Sequence, residues 1–167
     1  EGNNRGLLIH SDEQFESFIK QARRADEAIA VHMIGDGAAE QVISMIEKYP
    51  PPIGKRDRLI HCCLLTETQI ERMKRLAVVL DIQPSFVSSD FPWVEEKLGI
   101  HRLHLAYAWK TLSEFPCAIG TDAPIEDINP FATIYAAVAR KKVGRELVFN
   151  PSQCLTAFEA VKMYTFG

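Results

Sequence analysis

The chain has 167 residues and a formal net charge of -3, with 47% hydrophobic and 25% charged residues. This composition is ordinary for a globular α/β protein, and the length is sufficient for one domain with a sizeable core. The weak negative charge favours neither nucleic acid nor an anionic membrane surface as a partner. No apolar run approaches the length needed to span a bilayer. The sequence therefore predicts a single domain over residues 1–167, with no nucleic-acid or membrane partner.

The cysteines and the N-terminus indicate a cytoplasmic protein. The four cysteines form no CxxC pair, and we expect them to be reduced and to act as small hydrophobic residues. The first five residues do not resemble a signal peptide. They also lack a starting methionine, which is consistent with a chain that begins inside a longer one.

Patterns typical of helices alternate with short extended stretches along the chain. Two capping boxes, with Ser11 and Thr66 as their first residues, predict helix starts. Further helices are predicted after Gly35, Asn129 and Thr156, and a helical stripe covers residues 105–112. Strands are predicted over residues 28–32, 58–61 and 78–83, and between Pro116 and Asp122. Such alternation requires parallel strands joined by right-handed crossovers.

Polar residues stand at the tips of these strands. His32 and His61 each end an apolar run, and Asp122 follows a short buried strand before Ala123-Pro124. A single Asp-Ala-Pro sequence is more often a simple turn, in which the aspartate bonds its own backbone. Two histidines and one aspartate at separate strand tips, however, are residues of the type that hydrolytic zinc sites use. The strand tips therefore predict a metal site.

An ordered set of short motifs carries a resemblance to a known family. The set comprises His32-Met-Ile-Gly-Asp36, His61, Gln83-Pro84 with Ser89-Asp90, Tyr107-Ala-Trp109, Gly120-Thr-Asp-Ala-Pro124 and Asn129-Pro130. In order and spacing it resembles the amidohydrolase superfamily, and within it the family 3 branch of YtcJ-like metal-dependent hydrolases. The resemblance extends over nearly the whole chain.

The resemblance implies the second half of a (β/α)8 TIM barrel. A closed barrel takes about 250 residues, and this chain has about four parallel strand–helix units. The family's His-x-His pair is absent, since none of the five histidines forms one, and so is its bridging lysine. We therefore expect the chain to be inactive by itself, and to be a homo-oligomer or to be covered by the remainder of its own barrel.

The same resemblance implies a hydrolase of carbon–nitrogen bonds of the amide or N-acyl type, other than peptide bonds, acting on a small-molecule substrate. His32 and His61 would ligate a divalent metal, most readily zinc, which the chain alone could lack. Asp122 would be a further ligand, and would accept a proton from the attacking water and donate it to the leaving nitrogen.

Other residues are candidates for weaker roles. Gln83, Asp90, Trp93 and Tyr107 are predicted to bind substrate, although Trp93 could equally anchor its loop. Asp36 is predicted to be a helix N-cap, or else a group that orients His32 or the substrate.

The sequence also contains two other histidines and allows a non-catalytic alternative. His101 and His104 are expected to lie away from the metal site. The alternative to an enzyme is a non-catalytic half-barrel that serves as a binding or assembly module and dimerises through its exposed edges.

Overall fold

The structure is a computed structural model that describes residues 6–91, 93–141, 146 and 148–166. The chain divides into two compact units, Glu1–Val79 and Leu80–Gly167. The prediction of one domain over residues 1–167 stays a prediction, and each unit is described by itself below.

The first unit alternates helices with strands. Its elements are α1 (Asp12–Arg24), β1 (Ala30–Met33), α2 (Asp36–Lys48), β2 (Asp57–His61), α3 (Glu67–Met73) and the start of β3 (Val78–Ile82). Helix α1 buries Phe15 and Ile19, and α3 buries Ile70 and Met73, so each helix presents one apolar face to the core. Both helices begin with the predicted capping boxes at Ser11 and Thr66.

The second unit contains the rest of β3 and a series of shorter elements. These are α4 (Ser85–Asp90), α5 (Trp93–Leu98), a 3-10 helix (Ile100–Leu105), α6 (Trp109–Leu112), β4 (Cys117–Ile119), α7 (Pro130–Ala139), a second 3-10 helix (Pro151–Gln153) and α8 (Ala157–Thr165). The predicted helix starts at Asn129 and Thr156 are confirmed, because both side chains cap their helices.

The four strands are parallel and lie in the order β1-β2-β3-β4, as predicted. In the first pair His32 lies opposite Ile60 and Met33 lies opposite His61. In the second pair Asp81 lies opposite Ala118. Consecutive strands joined by helices give the α/β class that the sequence predicts. None of the described helices has the length and apolar character needed to cross a bilayer.

A buried carboxylate fixes the start of β2 in the first unit. Asp57 is fully buried, and its carboxylate accepts a hydrogen bond from the Ile29 amide at 2.9 Å and forms an ion pair with Arg23. Its own amide donates to the Ala77 carbonyl at 3.0 Å. Asp57 therefore ties α1, the approach to β1 and the segment before β3 to one point.

Three local predictions are wrong. Residues 105–112 do not form one helix, because Tyr107 has a left-handed backbone with φ of 50° between the 3-10 helix and α6. The N-cap of α2 is Gly35, and Asp36 is the first residue of that helix. Trp93, which was predicted to lie in a loop, is the first residue of α5.

Candidate active site

The rings of His32 and His61 face each other in the first unit. The distance from His32 Nδ1 to His61 Nε2 is 2.7 Å, and the ring centroids are 4.8 Å apart. His32 is exposed on β1, whereas His61 is buried at the end of β2. Each histidine thus directs one ring nitrogen at the other, and one of the two nitrogens carries the proton that they share.

Strand periodicity alone would not have brought these two rings together. His61 lies opposite Met33 in the register, and side chains alternate between the two faces of a sheet, so a regular strand would place His61 on the face opposite His32. His61 instead has a left-handed backbone with φ of 76°, and Cys62 follows with φ of 52°. This twist at the strand end turns the His61 ring toward His32.

The two histidines fit half of a metal site. Two nitrogens bound to one tetrahedral zinc at about 2.0–2.1 Å lie roughly 3.3 Å apart, so these rings would separate by roughly half an ångström to hold an ion. Among the described residues no group of three His, Cys, Asp or Glu side chains could hold a metal ion. The pair therefore offers two ligands of the right chemistry.

Asp122 lies three residues after β4 in the second unit, and its carboxylate does not bond the turn in which it lies. It is half-buried and has φ of 59°, and its carbonyl accepts a hydrogen bond from the Ile125 amide at 2.8 Å. The Ala123 amide bonds the hydroxyl of Thr121 at 3.2 Å. Within the described residues the Asp122 carboxylate has no hydrogen-bond or ionic partner. Thr121 thus supports the turn, and the Asp122 carboxylate is left available for chemistry.

Gln83 lies at the tip of β3 with one amide atom unpaired. Its Nε2 donates to the Asp81 carbonyl at 3.0 Å and to the Asp81 carboxylate at 3.4 Å. These two acceptors fix the orientation of the amide, because the reverse orientation would oppose oxygen to oxygen. Its Oε1 is buried without a partner in the part of the chain that the structure describes.

Asp90 and Tyr107 contact each other in the second unit. The Tyr107 hydroxyl donates a hydrogen bond to the Asp90 carboxylate. Burial raises the pKa of Asp90, the Tyr107 hydrogen bond opposes this shift, and the charge of Glu126 adds to it. Trp93, by contrast, is half-exposed.

Asp36 lies in the first turn of α2, and His101 and His104 lie on the first 3-10 helix. Asp36 Oδ1 accepts a hydrogen bond from the Gly37 amide at 3.0 Å, so this carboxylate serves the first turn of α2. His101 and His104 are exposed on the 3-10 helix, and neither belongs to a metal-binding group of the described residues.

Sequence reasoning missed Arg140, which holds the backbone of Tyr107. This arginine is fully buried at the end of α7, and it donates to the Tyr107 carbonyl at 2.8 Å and to the Phe149 carbonyl at 2.7 Å. Burial lowers its pKa to about 10. No sequence signal distinguishes it, because an arginine after a helix and before lysines is typical of a solvated surface.

Comparison with known proteins identifies the class. The family model described as "Amidohydrolase family" matches residues 3–167, so the chain belongs to the amidohydrolase family. The chain is 46% identical over 166 residues to "Putative amidohydrolase YtcJ" of Bacillus subtilis (strain 168), covering 97% of this chain and 31% of that protein. It is 30% identical over 171 residues to "Protein LONG AFTER FAR-RED 3" of Arabidopsis thaliana, covering 99% of this chain and 29% of that protein.

Solved structures of similar proteins share the fold. An uncharacterized metal-dependent hydrolase from Pyrococcus horikoshii OT3 superposes with a TM-score of 0.87 at 31% identity, over 99% of this chain and 34% of that chain. A second one, from Pyrococcus furiosus, gives 0.85 at 32% identity, over 98% and 33%. The chain thus spans about a third of the length of these relatives, and its four parallel strand–helix units form a partial barrel.

Proposed function

We propose that the chain is the part of a metal-dependent amidohydrolase that supplies His32, His61 and Asp122. The reaction is hydrolysis of a carbon–nitrogen bond of the amide or N-acyl type, other than a peptide bond, in a small molecule. The observation that carries the proposal is the pair of ring nitrogens, His32 Nδ1 and His61 Nε2, directed at each other 2.7 Å apart. Membership of the amidohydrolase family supports the reaction class.

In this proposal the histidines bind the metal, and Asp122 both binds it and carries a proton. His32 and His61 would hold a divalent metal, zinc by preference, as neutral imidazoles, which requires that the facing nitrogens carry no proton and that each ring keeps its proton on the other nitrogen. When bound, the metal lowers the pKa of the attacking water and polarises the substrate carbonyl. Asp122, a further ligand, accepts a proton from that water and passes it to the leaving nitrogen, so that an amide and water give an acid and an amine.

Four polar or aromatic residues are assigned to the substrate. Gln83 offers its buried Oε1 as an acceptor, and Asp90 is held in place by the Tyr107 hydroxyl. Trp93 offers a half-exposed ring. Asp36 is assigned to orienting His32 or the substrate, in addition to its bond within α2.

The proposal also covers the cellular location and the partners of the protein. We assign it to the cytoplasm, with no nucleic-acid or membrane partner, and with its open surfaces covered by the remainder of its barrel or by a second copy. The relatives are about three times as long as this chain, which supports cover by the remainder of the barrel.

Metal analysis of histidine variants tests the proposal. The longest polypeptide that the gene encodes should purify with stoichiometric metal by mass spectrometry, and His32→Ala and His61→Ala should each lose most of it. His101→Ala, which changes an exposed histidine, should retain the metal. Asp122→Asn should lower amide hydrolysis by at least about a hundredfold, the usual contribution of general acid–base catalysis. A metal-free dimer unaffected by His32→Ala would instead establish the assembly module.

A further inference from the structure

The segment from the loop after Asp122 to the first turn of α7 exposes three large apolar side chains within seven residues. Ile125 is 69% exposed, Ile128 is 77% exposed and Phe131 is 78% exposed. These three residues are called the apolar loop patch below. Their nearness in the chain makes this segment a candidate binding surface, because contiguous exposed apolar patches mark interaction sites or ligand-binding grooves.

The loop that carries the patch is fixed by its own hydrogen bonds. The Ile125 amide donates to the Asp122 carbonyl at 2.8 Å, so the patch begins in the turn that holds Asp122. Asp127 Oδ1 accepts from the Asn129 amide at 2.9 Å, and Asn129 Oδ1 accepts from the Phe131 amide at 3.0 Å. Polar side chains of this loop therefore bond its own backbone, while its large apolar side chains are exposed.

The position and the charge of the loop indicate what binds there. The loop follows the carboxyl end of a parallel strand, which is where α/β proteins bind their ligands. No lysine or arginine occurs between residues 111 and 139, whereas Glu114, Asp122, Glu126 and Asp127 do. A carboxylate or phosphate on the bound group would find no counter-charge on this stretch, so an uncharged alkyl or aryl group fits it best.

We propose that the apolar loop patch binds an uncharged alkyl or aryl group of the substrate, next to the bond that is cleaved. The inference rests on the proposed function for the reaction and adds the substrate class: amides with a bulky apolar substituent. Phe131 and Ile128 are then specificity-determining residues, and they take no part in the chemistry.

A series of N-methylamides from acetyl to octanoyl tests this inference in the longest polypeptide that the gene encodes. The specificity constant kcat/KM should rise about fourfold for each added methylene, as burial of that group predicts. Phe131→Ala and Ile128→Ala should each lower the octanoyl-to-acetyl ratio of kcat/KM by about tenfold. Phe158→Ala, which removes a phenyl ring of 77% exposure from α8, should leave the ratio unchanged. The succinyl amide, with a terminal carboxylate, should be a poorer substrate than the butyryl amide.

A binding measurement distinguishes failure of this inference from failure of the proposed function. If no amide is hydrolysed, the reaction is wrong, and calorimetric titration of the Asp122→Asn protein with the same amides decides the inference alone. Tighter binding of the octanoyl amide that is lost in Phe131→Ala would support it. An octanoyl-to-acetyl ratio that does not change in Phe131→Ala and Ile128→Ala would overturn it. A loss of thermal stability in Phe131→Ala, absent from Phe158→Ala and without any effect on the ratio, would show that the polypeptide itself covers the patch and would equally overturn it.

Discussion

Asp57 shows how much of the first unit depends on a single buried charge. Its carboxylate has no exposed surface, and its two oxygens serve the Arg23 guanidinium and the Ile29 amide. Arg23 also donates to the carbonyls of Tyr49 and Glu27, so the ion pair lies within a network of backbone contacts. A buried charge of this kind stabilises the fold only while every partner is present.

Asp57→Asn should therefore destabilise the protein by about 3 kcal/mol, since it leaves the Arg23 guanidinium without its counter-charge. Urea unfolding of the two proteins measures the difference. Asp26→Asn is the control, because Asp26 is exposed and its ion pair with Lys55 is 3.6 Å long, so it should cost less than about 1 kcal/mol. Equal effects of the two substitutions would show that the Asp57 network contributes nothing beyond a surface ion pair.

Cys117 on β4 gives a pH dependence whose sign follows from burial. Burial raises the pKa of its thiol to about 12, and the nearby charge of Asp81 adds to the shift. Below the ordinary thiol pKa of 9.0 both the folded and unfolded chains keep the proton, so this group contributes nothing. Above it only the unfolded chain ionises, and the folded state therefore loses stability as the pH rises from about 9 toward 12.

In the Cys117→Ala protein this alkaline loss of stability should be smaller, which unfolding measurements at a series of pH values between neutrality and pH ~10.5 would reveal. Thiol labelling gives an independent measurement. Native protein should react with a maleimide at Cys154, which is half-buried, well before Cys117, which is buried. Rapid labelling of Cys117 in folded protein would contradict the prediction.

At the scale of elements, two capping boxes of the same design have different surroundings. In α1 the Gln14 side chain accepts from the Ser11 amide, and the box is exposed. In α3 the Gln69 side chain accepts from the Thr66 amide and also donates to the Asp36 carbonyl at 2.9 Å. Gln69 is buried, so α3 begins with a bond that also fixes the first turn of α2.

Gln69→Ala should accordingly cost about 2 kcal/mol, from the lost cap and the lost bond between α3 and the Asp36 carbonyl. Gln14→Ala should cost about 1 kcal/mol or less, since water replaces the lost bond at an exposed helix start. Thermal unfolding of both variants compares them directly. A Gln14 variant that is the less stable of the two would refute the connection between α2 and α3.

Local sequence patterns predicted the helix starts but not the features that depend on distant residues. Helix starts at Ser11, Thr66, Asn129 and Thr156 follow from side chains that bond their own first turns, and such short-range chemistry is written in adjacent residues. The break at Tyr107 could not be predicted in this way, because its carbonyl is held by Arg140, 33 residues further along. Nor could the turned ring of His61, which depends on backbone twist and not on alternation. The positions of His32 and His61 at strand tips therefore predicted that they are neighbours, although side-chain alternation alone would have placed their rings on opposite faces of the sheet.

At the scale of the whole molecule, exposed apolar side chains indicate that these 167 residues need cover. Leu7, Ile34, Phe158 and Phe166, all outside the apolar loop patch, are among the large apolar residues with more than half of their surface exposed. The chain also spans only about a third of its relatives. Each 100 Å² of apolar surface left in water forgoes about 2.5 kcal/mol, against a typical net stability of about 5–15 kcal/mol for a domain.

The isolated chain should therefore elute as an oligomer or aggregate in size-exclusion chromatography with light scattering, and should show no amide hydrolysis. The longest polypeptide that the gene encodes is the control, and it should be monodisperse and active. A stable monomer of 18.8 kDa that hydrolyses amides at enzyme-like rates would contradict both parts of the prediction.

The consecutive strand order has a consequence for synthesis on the ribosome. Because each strand pairs with the one made just before it, the sheet can grow at a single edge in the direction of translation. Loop closure between neighbours stays short at every step, so no early segment has to wait for a distant partner. Helices that begin at their own capping boxes suit the same order of events, since the signal and the helix emerge together. Among the described residues β1 pairs with another strand on one side only, and an open edge of this kind is exposed to misassembly until further chain covers it.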